Sequence, residues 1–289
     1  MKQIRHLKTM QRWALDSKRT SGKVALVPTM GFLHEGHVSL IRRARKSAGS
    51  AGKVIVSIYV NPTQFGADED FSSYPRDLTK DLNICEREGV DVVFMPSDTS
   101  MYPDTTEKEY STYVIESSLS PMMEGQSRPG HFKGVTTVVC KLFMLTLPDM
   151  AVFGAKDYQQ SAIIRRMTSD LNIPVKVIVA PTIREKDGLA MSSRNAYLSK
   201  EERSQAPILI QTLTEAKEIV RSSPDQPIQT TKIQSLLKTR IGTKKLARLD
   251  YIAFFDPDSL QPLDKVCKGS HMALAVYFGK TRLIDNIRL

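Results

Sequence analysis

Between residues 23 and 181 the chain alternates short, β-rich apolar runs with longer stretches whose apolar positions recur at helical spacing. The runs are residues 24–27, 54–60, 90–94, 150–153 and 175–179. They are nearly continuous rather than alternating, the pattern of strands with both faces buried under helices. The stretches between them, residues 38–46, 78–88, 135–145 and 158–171, read as those helices. Strand and helix in strict alternation is the rhythm of crossover connections in a parallel sheet. The pattern predicts an α/β fold whose N-terminal domain, residues 1–181, is a doubly wound, Rossmann-like parallel sheet.

After Pro181 the rhythm changes. Ser199 followed by Glu202 is a capping-box pattern: a hydroxyl and a carboxylate three residues apart satisfy the first free amides of a helix reciprocally. It predicts a helix running toward Val220, then a polar break over residues 222–227 and a second helix near 233–240. Strands are expected at 249–255, 272–278 and 282–287, with turns at Asp256-Pro257 and Gly279-Lys280. Residues 182–289 therefore form a smaller α+β domain. At the other end, basic residues from Lys2 to Arg19 accompany Ile4, Leu7, Ala14 and Leu15 on one helical face. With the first strand expected at Val24, this stretch is one leading helix and leaves no length for a detachable targeting segment, so the expected compartment is the cytoplasm.

Composition narrows the class. Hydrophobic residues at 41% and charged residues at 25% exclude disordered, collagen-like and disulfide-scaffold chains. The apolar runs at 54–60 and 272–278 are far shorter than the ~20 residues needed to cross a bilayer, so no membrane partner is expected. The net charge of +10 favours anionic partners without choosing among them. Its densest part, residues 238–248, lacks interleaved aromatics and reads as a solvated helix face, so no nucleic-acid partner is expected either. Cys85, Cys140 and Cys267 are odd in number and widely spaced, which fits reduced thiols.

In an open α/β sheet, ligands bind beyond the carboxyl ends of the strands. The loop after the first run is Pro28-Thr29-Met30-Gly31-Phe32-Leu33-His34-Glu35-Gly36-His37, and it leads directly into a helix. Free amides at a helix start favour phosphate. The familiar phosphate motifs do not fit: there is no G-x-G, and although Gly31 and Gly36 have Walker A spacing, His37-Val38 stands where Lys-Ser or Lys-Thr is required. His34 and His37 do not meet the H-E-x-x-H pattern of zinc proteases and have no evident third ligand.

His34-x-Gly36-His37 after a buried strand resembles the H-x-G-H motif of the nucleotidyltransferase and class I aminoacyl-tRNA synthetase superfamily. The wider string from Pro28 to His37 resembles the pantoate–β-alanine ligase family. Further blocks resemble that family in order: Val60-Asn61-Pro62-Thr63-Gln64-Phe65-Gly66, Tyr74-Pro75-Arg76, the stretch 124–135, Phe153-Gly154-Ala155-Lys156-Asp157-Tyr158-Gln159-Gln160, the stretch 187–195, and Arg282-Leu283-Ile284-Asp285-Asn286. The resemblance covers essentially the whole chain. Thr63, where the family more often carries Met or Leu, and Ala155, commonly a charged residue, depart from it.

The resemblance implies an ATP-dependent ligase. Pantoate is activated as pantoyl adenylate with loss of pyrophosphate, and β-alanine then displaces AMP to give pantothenate. It implies His37, as proton donor, with His34 and Lys156 as the catalytic groups acting on phosphate. The nucleotide is expected against Met30, Gly31, Phe32, Leu33, His34, Glu35, Gly36, His37, Gly154, Ala155, Lys156, Asp157, Ile183 (through its backbone), Met191, Ser192, Ser193 and Arg194. Gln64 and Gln160 match the pantoate-binding glutamines, with Gln64 also toward β-alanine; a neutral amide donates to carboxylate and accepts from hydroxyl without adding charge. Asn61, Arg128 and His131 are expected in the pocket wall. Mg2+ is expected with ATP, held mainly by phosphates and water and with no side-chain ligand assigned. The implied assembly is a homodimer with the smaller domain covering the active site. A nucleotidyltransferase that keeps the nucleotide in its product, or an RNA-binding synthetase relative, would share the H-x-G-H core; the two glutamines and the short second domain argue against both.

Overall fold

The computed structural model describes residues 1–20, 22–67, 69–103, 110–224 and 226–289; within the expected break at 222–227, Asp225 lies outside the described residues. The chain divides into two compact units, one of Met1–Ala155 with Gln159–Pro181 and one of Lys156–Tyr158 with Thr182–Leu289.

The first unit is built on a six-stranded parallel sheet, as counted among the described residues: β1 (Lys2–Ile4), β2 (Val24–Thr29), β3 (Lys53–Ile58), β4 (Val92–Phe94), β5 (Met150–Gly154) and β6 (Lys176–Ala180), in the order β1-β4-β3-β2-β5-β6. Val27 lies beside Val56, and Ala151 beside Val177. Its helices are α1 (Leu7–Thr20), α2 (Glu35–Ala48), α3 (Leu78–Arg87), the single turns α4 (Asp98–Met101) and α5 (Glu124–Ser127), α6 (His131–Thr146) and α7 (Tyr158–Asp170). Val27, Val54, Val56 and Val152 pack with Leu33, Val38 and Ile41 into one apolar cluster. This is the doubly wound sheet that the apolar runs predict.

Among the strands of this unit one departs from expectation: the first strand is β1, not the run at Val24, and it pairs in parallel with β4 through Ile4 and Phe94. Three residues of which only Ile4 is buried carry too little apolar sequence to register as a strand; the pairing with β4 defines it. The leading helix accordingly begins at Leu7.

The two ends of the sheet have different duties. At the amino ends of the strands, the Asp91 carboxylate accepts the Val54 N–H at 2.9 Å and pairs with Arg45 and Lys53. Asp149 likewise accepts the Val24 N–H at 2.7 Å and pairs with Lys18. At the carboxyl ends, β2 sits between β3 and β5, so the connections after β2 and β5 leave from the point where strand order reverses.

The second unit contains helices α8 (Lys200–Gln205), α9 (Ile208–Arg221) and α10 (Thr230–Gly242) and strands β7 (Ile228–Gln229), β8 (Ala247–Phe255), β9 (Lys265–Val266), β10 (His271–Phe278) and β11 (Thr281–Arg288). β10 is central in an antiparallel sheet of order β11-β10-β8, and β7 and β9 form a two-residue ribbon too short to be legible in sequence. Leu209, Leu213 and Leu237 from the helices pack with Met272, Leu274 and Val276. The capping box forms, with the Ser199 hydroxyl accepting the Glu202 N–H and the Glu202 carboxylate accepting the Ser199 N–H. The helix it opens stops at Gln205, however. Pro207 lacks an N–H and clashes with the carbonyl four residues back, so the helix expected to run to Val220 is two. Lys156–Tyr158 counts with this unit rather than with residues 1–181 because Tyr158 stacks on His271 at 3.9 Å and donates its hydroxyl to the Pro257 carbonyl.

Cys85, Cys140 and Cys267 are free, and among the described residues no helix is long and apolar enough to cross a membrane. Asp91→Ala should cost about 1–3 kcal/mol of stability, because it strips the Val54 N–H of its side-chain acceptor and leaves two cations unpaired. Urea unfolding measures the loss. The catalytic rate should stay unchanged, since the contact lies at the amino ends of the strands.

Candidate active site

The loop after β2 is held in a conformation few sequences adopt. Gly31 has φ +83°, and a side chain there would put its Cβ 2.9 Å from the Asp81 carboxylate; Phe32 follows at φ +50°. Asp81 projects from α3 and is 1% exposed. Its two oxygens accept the Phe32 N–H at 2.8 Å and the Leu33 N–H at 2.7 Å. Burial raises the Asp81 pKa and the two amides work against that rise. The carboxylate thus anchors the loop. Among the described residues no group of three His, Cys, Asp or Glu side chains is placed to hold a metal ion.

Leu33 is buried under this anchor and delivers His34 to the N-cap of α2. His34 Nδ1 accepts the Gly36 N–H at 3.1 Å, and His37 Nδ1 accepts the His34 N–H at 3.3 Å. An acceptor nitrogen carries no proton, so each neutral ring must hold its proton on Nε2. The rings lie 4.1 Å apart. Both histidines therefore cap the helix with one nitrogen and present an N–H donor with the other, at a helix start whose dipole favours negative charge. A hollow of about 600 Å³ adjoins His34 and the exposed Glu35, with Lys80, Asn83 and Arg87 in its wall. A second, of about 280 Å³, adjoins Met30, Gly31 and Phe32.

Gln64 ends a 3-10 turn after β3 and is held from three directions. Its Oε1 accepts from Asn61 Nδ2 at 3.1 Å, and its Nε2 lies 3.3 Å from Met30 Sδ. Its backbone carbonyl accepts from His131 Nδ1 at 2.9 Å. Asn61 donates its second amide hydrogen to the Gly134 carbonyl and accepts from Tyr102 and Thr63 hydroxyls. His131 Nε2 faces Arg128 at 3.0 Å, and Arg128 is doubly bonded to Glu69. Because a guanidinium only donates, His131 Nε2 is the acceptor and Nδ1 the protonated nitrogen that meets the Gln64 carbonyl. Asn61, Arg128 and His131 thus stand around Gln64 and use their polar atoms to fix it. Thr63, one of the two departures from the family pattern, adds its hydroxyl to that fixation.

Gln159 and Gln160, adjacent on α7, differ. Gln159 is buried, accepting the Glu124 N–H and donating to the Leu119 and Met122 carbonyls. Gln160 is half-buried, and no side-chain hydrogen bond engages it among the described residues. Gly154 closes β5, followed by Ala155 in the first unit.

The remaining candidates belong to the second unit. Lys156 Nζ is 3.4 Å from Asp157 Oδ1. The Ile183 carbonyl accepts the Met191 N–H, closing a small antiparallel pairing of Arg184 with Ala190. Ser192 caps a 3-10 helix, Ser193–Tyr197, that holds Ser193 and Arg194. Arg203 bridges Glu185 and Asp187 beneath this segment, and Asn195 donates to Glu185 and the Ala190 carbonyl. The segment is a hydrogen-bonded turn of helix rather than an open loop.

The family model for pantoate–β-alanine ligase matches residues 2–288. The chain belongs to the pantoate–β-alanine ligase family. Pantothenate synthetase of Syntrophotalea carbinolica is 47% identical over 283 residues, 98% of this chain and 96% of that one. That of Heliobacterium modesticaldum is 47% identical across 99% of both chains. Among solved structures, pantothenate synthetase of Thermus thermophilus superposes with a TM-score of 0.90 at 39% identity, over 100% of this chain and 99% of that one. The Francisella tularensis ligase, solved with β-γ ATP and β-alanine, gives 0.78 at 36% identity, over 100% and 97% of the two chains.

Sequence reasoning did not assign Asp81 as the loop anchor, Glu69 as the partner of Arg128, or Gln159 as the buried member of its pair. None carries a local signal: each acts on a segment 35 or more residues away. Burial and the adjacent Arg128 guanidinium push the His131 pKa down from 6.5 to about 4. Below pH 6.5 the unfolded chain takes up a proton that the folded chain refuses. The stability due to neutral His131 is therefore complete above about pH 6.5 and is lost as pH falls toward 4. His131→Gln should flatten this decline between pH 7 and 5 in urea-unfolding midpoints; an equally steep decline in the variant would contradict the assignment.

Proposed function

We propose that this chain joins pantoate to β-alanine at the expense of ATP, giving pantothenate, AMP and pyrophosphate by way of pantoyl adenylate. The observation that carries the reading is the pair of Nε2–H donors at the start of α2, locked by backbone amides on Nδ1. In the first half-reaction a pantoate carboxylate oxygen bonds to the α-phosphorus and the bond to the bridging oxygen breaks, releasing pyrophosphate. Negative charge builds on phosphate oxygens. Donors already aimed there need no reorganisation, which is where most catalytic stabilisation arises.

In this reading His37 and His34 donate hydrogen bonds from Nε2–H to the phosphate oxygens, with no net proton transfer, Lys156 neutralises phosphate charge, and Ser192, Ser193 and Arg194 add donors. Met30 to Leu33, Glu35, Gly36, Gly154, Ala155, Asp157, Ile183 and Met191 bear on the nucleotide. Mg2+ accompanies ATP, held by phosphate oxygens and water, and supplies charge neutralisation there; Asp81 is already engaged by two amides. In the second half-reaction the β-alanine amine bonds to the acyl carbon, AMP departs with the C–O electrons, and the amine proton passes to solvent. Gln64 and Gln160 take the hydroxy acid; the amide of Gln160, which has no side-chain hydrogen bond among the described residues, and the tightly set amide of Gln64 suit that role. Asn61, Arg128 and His131 serve by holding Gln64. A homodimer, a cytoplasmic location and no nucleic-acid partner complete the proposal.

His37→Ala and Lys156→Ala should each slow adenylate formation by ~10²-fold or more, on the scale of removing one preorganised donor. Rapid-quench single turnovers with ATP and pantoate measure this, and a normal first half-reaction with a slow second one would mean the roles are misassigned. Gln64→Glu keeps the shape of the side chain but brings negative charge toward the pantoate carboxylate. It should weaken pantoate binding by ~1–3 kcal/mol and leave ATP binding nearly unchanged, as read by calorimetry with each ligand alone. Equal weakening of both would remove Gln64 from the acid pocket.

A further inference from the structure

The block Arg282-Leu283-Ile284-Asp285-Asn286 matches the family yet has no part in the chemistry above. It lies on β11, where Asp285 and Asn286, being adjacent, project from opposite faces of the sheet. On one face Asp285, 2% exposed, accepts two hydrogen bonds from the Arg184 guanidinium at 2.6 and 3.0 Å. Arg184 donates in turn to the Gly188 carbonyl, bracing the turn that leads to Met191 and Ser192. On the other face Asn286 Nδ2 donates to the Lys156 main-chain carbonyl at 2.8 Å, and its Oδ1 lies 3.0 Å from His271 Nε2.

The orientation of the Asn286 amide follows from its partners. A carbonyl can only accept, so the atom facing Lys156 is the NH2 group and the atom facing His271 is the oxygen. His271 must then carry its proton on Nε2. Its ring is clamped against Tyr158 at 3.9 Å, and the Tyr158 hydroxyl is bonded to the Pro257 carbonyl. His271 and Asn286 are diagonal neighbours across β10 and β11, a separation side chains of this length span. Lys156 and Tyr158 are therefore both fastened to the same sheet, one by its main chain and one by its ring, with the Tyr158 hydroxyl held by the turn that follows β8. A lysine has four rotatable side-chain bonds, so where its ammonium can reach depends first on where its backbone is held.

We infer that Asn286 is the positioning residue for Lys156: its amide fixes the Lys156 main chain on the second unit's sheet and thereby sets the reach of the Lys156 ammonium toward phosphate. The inference rests on the phosphate role proposed for Lys156. Asn286→Asp is the informative variant. It retains the oxygen that His271 meets and replaces the donor with an oxygen facing the Lys156 carbonyl. Adenylate formation in single turnovers should slow ten- to a hundredfold, the scale of misplacing a reacting group by about an ångström. Pantoate affinity by calorimetry should not change.

The deciding measurement is a double-mutant cycle with Lys156→Ala. If Asn286 acts through Lys156, Asn286→Asp changes the rate of the Lys156→Ala enzyme by less than about twofold. If the two effects multiply, or if Asn286→Asp leaves an otherwise normal enzyme at full rate, Asn286 does not position Lys156 and the inference falls alone. If Lys156→Ala itself forms adenylate at the normal rate, the phosphate role falls and the inference with it. Asn286→Ala, which removes the donor without adding charge, takes the same place in the cycle should Asn286→Asp not fold.

Discussion

A buried carboxylate accepting two backbone amides sets the conformation on which the first unit's chemistry depends. Asp81 reaches from α3 to the Phe32 and Leu33 N–H groups and holds two consecutive residues at positive φ. Such a conformation costs about 1–3 kcal/mol per strained residue unless neighbouring contacts over-determine it. Gly31 meets the demand by having no side chain; Phe32, which has one, is kept there by the hydrogen bond. From that geometry the rest follows in order. Leu33 enters the core, His34 arrives at the N-cap, and the first amides of α2 find imidazole nitrogens as acceptors. Backbone hydrogen bonding of the helix start thus determines the tautomer of both histidines.

The same economy appears around the glutamines. Burying Asn61, Arg128 and His131 would be unfavourable if their polar atoms were unmet, yet each is bonded, and the bonds converge on Gln64. On α7, Gln159 ties the helix to the 119–124 segment, leaving Gln160 beside it with no side-chain hydrogen bond among the described residues. A rigid side chain and an available one result from neighbouring positions of identical chemistry. In the second unit Asp285 and Asn286 divide their work by strand alternation, one bracing Arg184 and the other the Lys156 main chain.

Stability and chemistry are separated along the strands of the first unit. Aspartates at the amino ends, Asp91 and Asp149, pair with lysines and arginine while receiving strand amides. Loops at the carboxyl ends carry glycines, histidines and the strained backbone. The irregular backbone is thus confined to the carboxyl ends, where open parallel sheets bind ligands.

Much of this was legible in the sequence. The apolar runs have both faces to bury, so their composition announces a parallel sheet; the string from Pro28 to His37 combines a turn, a helix start and two imidazoles, and its chemistry is local. What the sequence could not show is non-local: β1 is defined by its pairing with β4, Asp81 matters because α3 places it beneath a loop 48 residues earlier, and Lys156–Tyr158 joins the second unit through contacts that include His271, Pro257 and Asn286. Propensity and motif are properties of neighbouring residues, and the chain alone determined the sheet, the capping patterns and the candidate donors. Which nitrogen carries a proton, which glutamine is held and which carboxylate is already engaged depend on partners that meet only when distant segments pack, and the tertiary structure decided those.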